Sequence, residues 1–348
     1  MNAMTKATRG CAGVALAAVL AGCGGGGPAT PANGVTSTQS VTRAAVPGAL
    51  ATALPVVRFG TAAPLKSRLV RGTPKVLVSE TFANASTREW RASESACLTA
   101  GTPSEPKGSI PACGVNAPQD PPGQGALELT TPTSNTQGLA GYHKALPTAN
   151  GLQIVFDYYS FDGSGADGSL VYLADGSLPR PKRPGASNDC GGCLGYVPSG
   201  RKHGLSGAYL GVGLDEYGDF GRFLPGGPGQ IGQTIYLGGA QSIGYEYLGG
   251  VVNGLGQQAS LPFDLDFPGD QSRPTPLTFY ISITAAGLVE VAIDIHDGNG
   301  PVTYVSENIV GVAGQPAVPA TVYVGFIGSC GSADDRHQVN DLTISTLQ

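Results

Sequence analysis

Residues 208–221 read AYLGVGLDEYGDFG, an alternating run that ends in a cluster of acids. In an extended chain successive side chains point to opposite faces. Leu210, Val212 and Leu214 therefore share one face, and Gly211, Gly213 and Asp215 share the other. The first face is apolar and suited to a core. From Gly211 the second carries no side chain until Asp215, which leaves room for loops to come close. Asp215, Glu216 and Asp219 then fall within five residues. Such a group could be a catalytic carboxylate pair, a metal cradle or a polar turn, and the rest of the chain has to choose.

The same period of two recurs along the chain. Residues 76–82, 126–131, 152–161, 169–175, 234–239, 277–285, 288–296, 303–310, 321–329 and 341–347 alternate apolar and polar, with Gly, Pro or Asp between them. These are strand signals. No segment holds a helical period over three turns. A chain of about eleven strands without helices must bury its sheets against each other, so an all-β sandwich or jelly roll is expected. The composition agrees: of 348 residues 54 are Gly and 27 Pro, and only 13% are charged, which favours turns over long surface helices. The net charge of −5 and the absence of a basic stripe argue against a nucleic-acid partner.

The first 23 residues read as a targeting segment. Lys6 and Arg9 precede an apolar run from Cys11 to Leu20, too short for a membrane span, and Leu20-Ala21-Gly22-Cys23 follows. That ending resembles the lipobox of bacterial lipoproteins, which implies acylation at Cys23 and a membrane contact through the lipid anchor alone. Gly24 follows without an Asp, pointing to an outer or external surface. Residues 24–72 are rich in Gly, Pro and Ala and read as a flexible tether. Residues 73–348 are then the folded domain. Of the seven cysteines, five remain beyond Cys23. Cys97 and Cys113 flank a Gly/Pro/Ser-rich loop and are expected to pair, a closure worth on the order of 3 kcal/mol. Cys190 and Cys193 lack two further zinc ligands, and Cys330 is expected to pair with one of them.

Four pieces, in order, carry a resemblance. They are Ala166-Asp167-Gly168 before a strand, Gly191-Gly192-Cys193-Leu194-Gly195-Tyr196, the opening stretch, and the late run VYVGFIGSCGSADDRHQVNDLTIS (322–345). Together they resemble the L-type, legume-like lectins, and bacterial members in particular, over residues 75–347. The resemblance implies a concanavalin A-like jelly-roll β-sandwich and a glycan ligand bound by loops. Asp167 would accept hydrogen bonds from two sugar hydroxyls, and the backbone of Gly192 would donate one. Asp219 stands where the family has an Asn that serves both sugar and calcium. Asp215 and the Tyr217 carbonyl match calcium ligands. Gly213 and Leu224 replace the acids of the second metal site, so no transition metal is expected. Glu216, on the other face, is expected to be a bystander.

For a sugar ring, Tyr196 is the candidate stacking platform. Tyr217 is expected to pack its ring inward and offer only its carbonyl. The same fold family contains glucanases, which need a Glu-x-Asp-x-x-Glu strand; here Gly213 and Gly218 occupy the two Glu positions, and glycine cannot be a nucleophile or an acid. The chain therefore reads as a surface-tethered carbohydrate-binding protein without catalysis. The alternative is a cell-envelope adhesin or structural module that keeps the fold without the sugar.

Overall fold

A computed structural model describes residues 73–104, 110–182, 190–200 and 203–348. The targeting segment, Cys23 and the tether lie outside the described residues. The alternating runs form strands β1 (Val76–Glu80), β2 (Trp90–Glu94), β3 (Cys97–Leu98), β4 (Leu127–Thr130), β5 (Gln137–Tyr142), β6 (Leu146–Pro147), β7 (Leu152–Phe161) and β8 (Gly168–Asp175). They continue as β9 (Ala208–Asp215), β10 (Thr234–Gly238), β11 (Tyr247–Gly250), β12 (Leu277–Ile283), β13 (Leu288–Asp294), β14 (Val302–Asn308), β15 (Thr321–Ser329) and β16 (Arg336–Ser345). One short helix, α1 (Asp219–Phe223), interrupts them.

The strands make two antiparallel sheets. One has the order β14-β13-β12-β7-β16-β4-β3, with β1 also on β16; the other runs β11-β10-β9-β8-β15-β5-β2, with β6 also on β15. Consecutive strands β7 and β8 lie in different sheets, and each pairs with a strand from the end of the chain, β16 and β15. Early and late sequence are thereby woven together, as an all-β jelly-roll sandwich requires.

Between the sheets lies the main core. Phe156 stacks on Phe279 at 5.4 Å, and Trp90 meets Phe82 edge-on at 5.0 Å. Leu210, Val212 and Leu214 of β9 join this core, and all three are buried. Burying each such side chain is worth about 1.5–3 kcal/mol.

A second apolar cluster covers the outer face of the β8–β9–β10 sheet. It contains Leu170, Tyr172, Leu194, Tyr196, Phe220, Tyr236 and Tyr245. In β8 and β10 these alternate with Val171, Leu173, Ile235 and Leu237, which face the main core. The second cluster exists because the middle of β9 presents only Gly211 and Gly213 there. A Cβ on Gly211 would stand 2.8 Å from the Tyr196 ring, and one on Gly213 would stand 2.5 Å from the Phe220 ring. The two rings meet edge-on at 6.1 Å. Loop residues 190–200 and α1 can therefore lie flat on the strand.

The disulfides are Cys97–Cys113 and Cys190–Cys193. Cys330 is a free, buried thiol, which corrects its expected pairing: Cys190 and Cys193 close on each other across Gly191-Gly192. The absence of any helix is also corrected, by α1.

A side chain at Gly213 should be costly. Gly213→Val is expected to destabilise the domain by about 1–3 kcal/mol through overpacking against Phe220, read as a lowered midpoint in urea unfolding. Gly254→Ala, with nothing within 4 Å of its new Cβ, should leave the midpoint unchanged.

Candidate functional site

The start of β8 presents Asp167. Its N–H donates to the Ser329 carbonyl at 3.1 Å, and its own carbonyl accepts the Glu216 N–H at 3.1 Å. The residue is thus pinned between β15 and the end of β9, and the Ala166–Asp167 peptide is cis. Its carboxyl is only 5% exposed, and Oδ2 has no hydrogen-bond partner. Two glycines make space for it: a Cβ on Gly191 would lie 1.8 Å from Oδ2, and one on Gly331 would lie 2.8 Å away. Burial, partly offset by the Gly331 backbone and reinforced by the Asp219 charge, raises the carboxyl to about 6.

Asp219 opens α1, and Gly192 lies in the 3-10 turn Gly191–Cys193 closed by the Cys190–Cys193 bridge. Turn and helix touch so closely that a Cβ on Gly192 would meet the Asp219 Cβ at 2.2 Å. The Asp219 carboxylate faces Arg222 at 3.4 Å across a solvated pair. An exposed pair of this kind contributes at most about 1 kcal/mol, so Asp219 remains available to another donor.

Asp167, Gly192, Asp219 and Tyr217 line one cleft of about 260 Å³, together with Gly191, Phe223, Asn135, Gly331 and Ser332. Tyr217 is 49% exposed and Phe223 37%. Both residues line the cleft, and their exposure corrects the expectation that Tyr217 packs its ring inward. Gly218, at φ +100, turns the chain immediately after it and leaves the ring outside.

Tyr196 is corrected in the opposite sense. Its residue is 0% exposed, its ring sits on Gly211, and its hydroxyl donates to the Gly239 carbonyl at 2.8 Å. No face is left for a ligand.

The calcium expectation at Asp215, the Tyr217 carbonyl and Asp219 does not fit the residues present. Asp215 is fully buried, and backbone N–H groups surround its carboxylate. Gly218 donates to Oδ1 at 2.8 Å, Phe220 to Oδ2 at 2.9 Å and Gly221 to Oδ2 at 3.4 Å. Amide hydrogens thus take three of the carboxylate's roughly four lone-pair directions, which leaves too little for a cation. The carboxylate holds α1 in place directly, and through it Asp219.

Asn135, Phe223, Gly331 and Ser332 were not singled out in the sequence. Asn135, at φ +59, donates its N–H to the Gly331 carbonyl at 2.7 Å. Ser134 Oγ lies 3.0 Å from the Ser332 carbonyl and 3.1 Å from Asp334 Oδ2, its one proton shared between the two acceptors. Ser164 N–H donates to the Asp334 carbonyl at 2.6 Å. Three distant turns are tied into one rim; the Ser/Asn/Gly content of 131–138 signals a turn but not its partners. Glu216 is no bystander either. It is 3% exposed, on the core side of the sheet, and its carboxylate meets Tyr158 and His337.

Among solved structures, lectin II from Ulex europaeus is similar over 78% of this chain and 100% of its own, at 14% identity and a TM-score of 0.49. Winged bean acidic lectin complexed with methyl-α-D-galactose is similar over 79% and 100%, at 16% identity and a TM-score of 0.47. The Ca²⁺/Man2-bound exoplasmic/lumenal domain of VIP36 is similar over 75% and 82%, at 13% identity and a TM-score of 0.46. Likenesses this distant assign no role to a residue. No protein-family profile and no curated protein matches the chain.

Asp215→Ala should strand three buried amides and cost about 3–5 kcal/mol of stability, the sum of several unsatisfied donors. Asp215→Asn retains one acceptor oxygen and should cost about half as much. Chemical denaturation of both variants checks the order.

Proposed function

We propose that the chain is a carbohydrate-binding protein whose ligand enters the cleft at Asp167, with no chemistry of its own. The observation that carries this reading is Asp167 Oδ2, a buried carboxylate oxygen without a partner on the wall of an open cleft. A buried acceptor left unmade costs about 1–3 kcal/mol. A neighbouring pair of sugar hydroxyls supplies two donors to one carboxylate, which meets that need without bringing in a charge.

The remaining walls suit the same ligand. Asp219 accepts a further hydroxyl. The backbone of Gly192 donates. Tyr217 and Phe223 offer faces on which the C–H side of a pyranose packs. The cleft falls below the roughly 300–1,000 Å³ of sites for drug-sized ligands, so it holds one sugar ring, with any longer glycan running out over the exposed rings. The reading needs no calcium at Asp215 and Asp219, because backbone amides already set the loop. Acylation at Cys23 and the tether 24–72 would present the domain at the cell surface, as an exported lipoprotein of the outer membrane.

On a broad glycan array the protein is expected to bind a defined set of sugars. Asp167→Asn should reduce that binding at least about 100-fold, the effect of a lost charge-assisted pair of hydrogen bonds at roughly 1.5–3 kcal/mol each, with an unchanged circular dichroism spectrum. Tyr217→Ala should weaken it about 5- to 10-fold, as loss of a ring contact of about 1 kcal/mol does. Wild-type protein that binds nothing on the array would instead support a structural or adhesive module that recognises a protein.

A further inference from the structure

On the core side of β9, beneath the cleft, three carboxylates converge. Glu216, Asp266 and Asp335 each bring an oxygen within 4.8 Å of the other two. Their residues are 3%, 7% and 0% exposed. They arrive from distant parts of the chain: the end of β9, the long loop after β11, and the turn before β16. That loop is fixed independently of the acids, since Phe267 N–H donates to the Ser160 carbonyl at 2.9 Å and Leu265 N–H to Gln233 Oε1 at 2.6 Å.

Protein donors meet only part of the carboxylate capacity. Tyr158 hydroxyl donates to Glu216 Oε1 at 2.6 Å, and His337 Nε2 to Oε2 at 3.1 Å. Gln233 Nε2 donates to Asp266 Oδ1 at 2.6 Å, and Ser160 Oγ to Asp335 Oδ2 at 3.3 Å. Asp335 Oδ1 has no partner at all, although its residue is fully buried. It is a buried acceptor without a donor, on one of three acids whose oxygens lie within 4.8 Å of one another.

The charge does not balance either. The Thr130 hydroxyl has one proton and donates it to the Asp335 carbonyl at 2.9 Å. His337 Nδ1, 2.6 Å from the Thr130 hydroxyl oxygen, must then donate to it. With Nε2 directed at Glu216, His337 carries both protons and one positive charge. The neighbouring Arg336 is committed to Glu128 and Asp162. One imidazolium faces three carboxyl groups, so acids outnumber bases in a buried site. Unpaired buried charges are among the most expensive features a fold can carry.

We propose that a calcium ion occupies the point between Glu216, Asp266 and Asp335. Two positive charges offset the converging acids, and the buried Asp335 carboxylate gains a partner. The donors are all hard oxygens, which excludes a soft-metal site. Magnesium holds on to several waters in near-ideal octahedra, whereas calcium accepts irregular sets of carboxylate oxygens; the dry, asymmetric arrangement suits the latter. The ion lies on the opposite face of β9 from Asp215 and Asp219. It reaches the cleft through the backbone, because Glu216 N–H holds the Asp167 carbonyl. The site stands independently of the sugar reading and needs no glycan to be tested.

The test uses the full chain stripped with a chelator. Calcium is expected to raise its melting temperature by about 5 °C or more, as a ligand bound well above its Kd does. Terbium, a calcium substitute, is expected to luminesce on excitation of the tyrosines, because Tyr158 touches the ion's ligand, and calcium should quench that signal. Asp335→Asn and Asp266→Asn should each abolish the luminescence and the shift, while Asp219→Asn keeps both. Absence of terbium luminescence and of a calcium shift in the wild type overturns the proposal. So does a response lost in Asp219→Asn but kept in Asp266→Asn. If Asp335→Asn does not fold, Asp266→Asn and the wild-type luminescence decide the matter.

Discussion

The structure depends on a strand with one bare face. Gly211 and Gly213 leave the outer side of β9 without side chains, and aromatic rings from two loops fill the space. The outer face of an antiparallel sheet usually meets water. Here it is covered, and the cover brings the turn at Gly192, the helix at Asp219 and the ring of Tyr217 to the end of the sheet where Asp167 waits. A methyl group on either glycine would lift the cover, and the walls of the cleft would separate. The fold and the site thus rest on the same two residues.

The second organising fact is parity. Asp215 and Glu216 are adjacent, so the strand sends them to opposite faces. Asp215 meets backbone amides and becomes a cap for α1. Glu216 meets the gap between the sheets and joins two other acids. Burial raises both of those partners, Asp266 to about 6 and Asp335 to about 7, a measure of how poorly the interior tolerates their charges. The shared strand couples the two sides, since the Glu216 amide and the Asp167 carbonyl are one hydrogen bond.

Much of this was legible in the chain. Period-two alternation placed β7 and β15 to the residue and most other long strands to within two or three, because each has one face in the main core. The bare face of β9 was legible for the same reason. Shorter strands escaped: β2 is polar and at an edge, β5 is glycine-rich, and β16 starts five residues earlier than expected. Its first half, Arg336 to Asn340, buries His337 and Gln338 against other polar groups, and a hydrophobic pattern cannot register polar burial. The resemblance to L-type lectins named Asp167, Gly192 and Asp219, which do share a cleft. It did not anticipate the amides around Asp215, and the expectation of an aromatic platform at Tyr196 failed likewise, because both environments are made by this chain's own loops, which leave no periodic trace. The triad of acids was invisible because Asp266 and Asp335 reach Glu216 only through long-range topology.

Cys330 carries a consequence of a different kind. The folded domain has an odd number of cysteines, and its one free thiol is 2% exposed, with Sγ against the Asp335 carbonyl at 3.3 Å. In an oxidising compartment such a thiol is safe only while the fold is shut, because oxidants and disulfide partners require access to the sulfur. Its rate of alkylation therefore measures how often the end of the sandwich opens. The protein carries at this position its own clock for local unfolding, set beside the acids and the cleft, and readable with a simple thiol reagent.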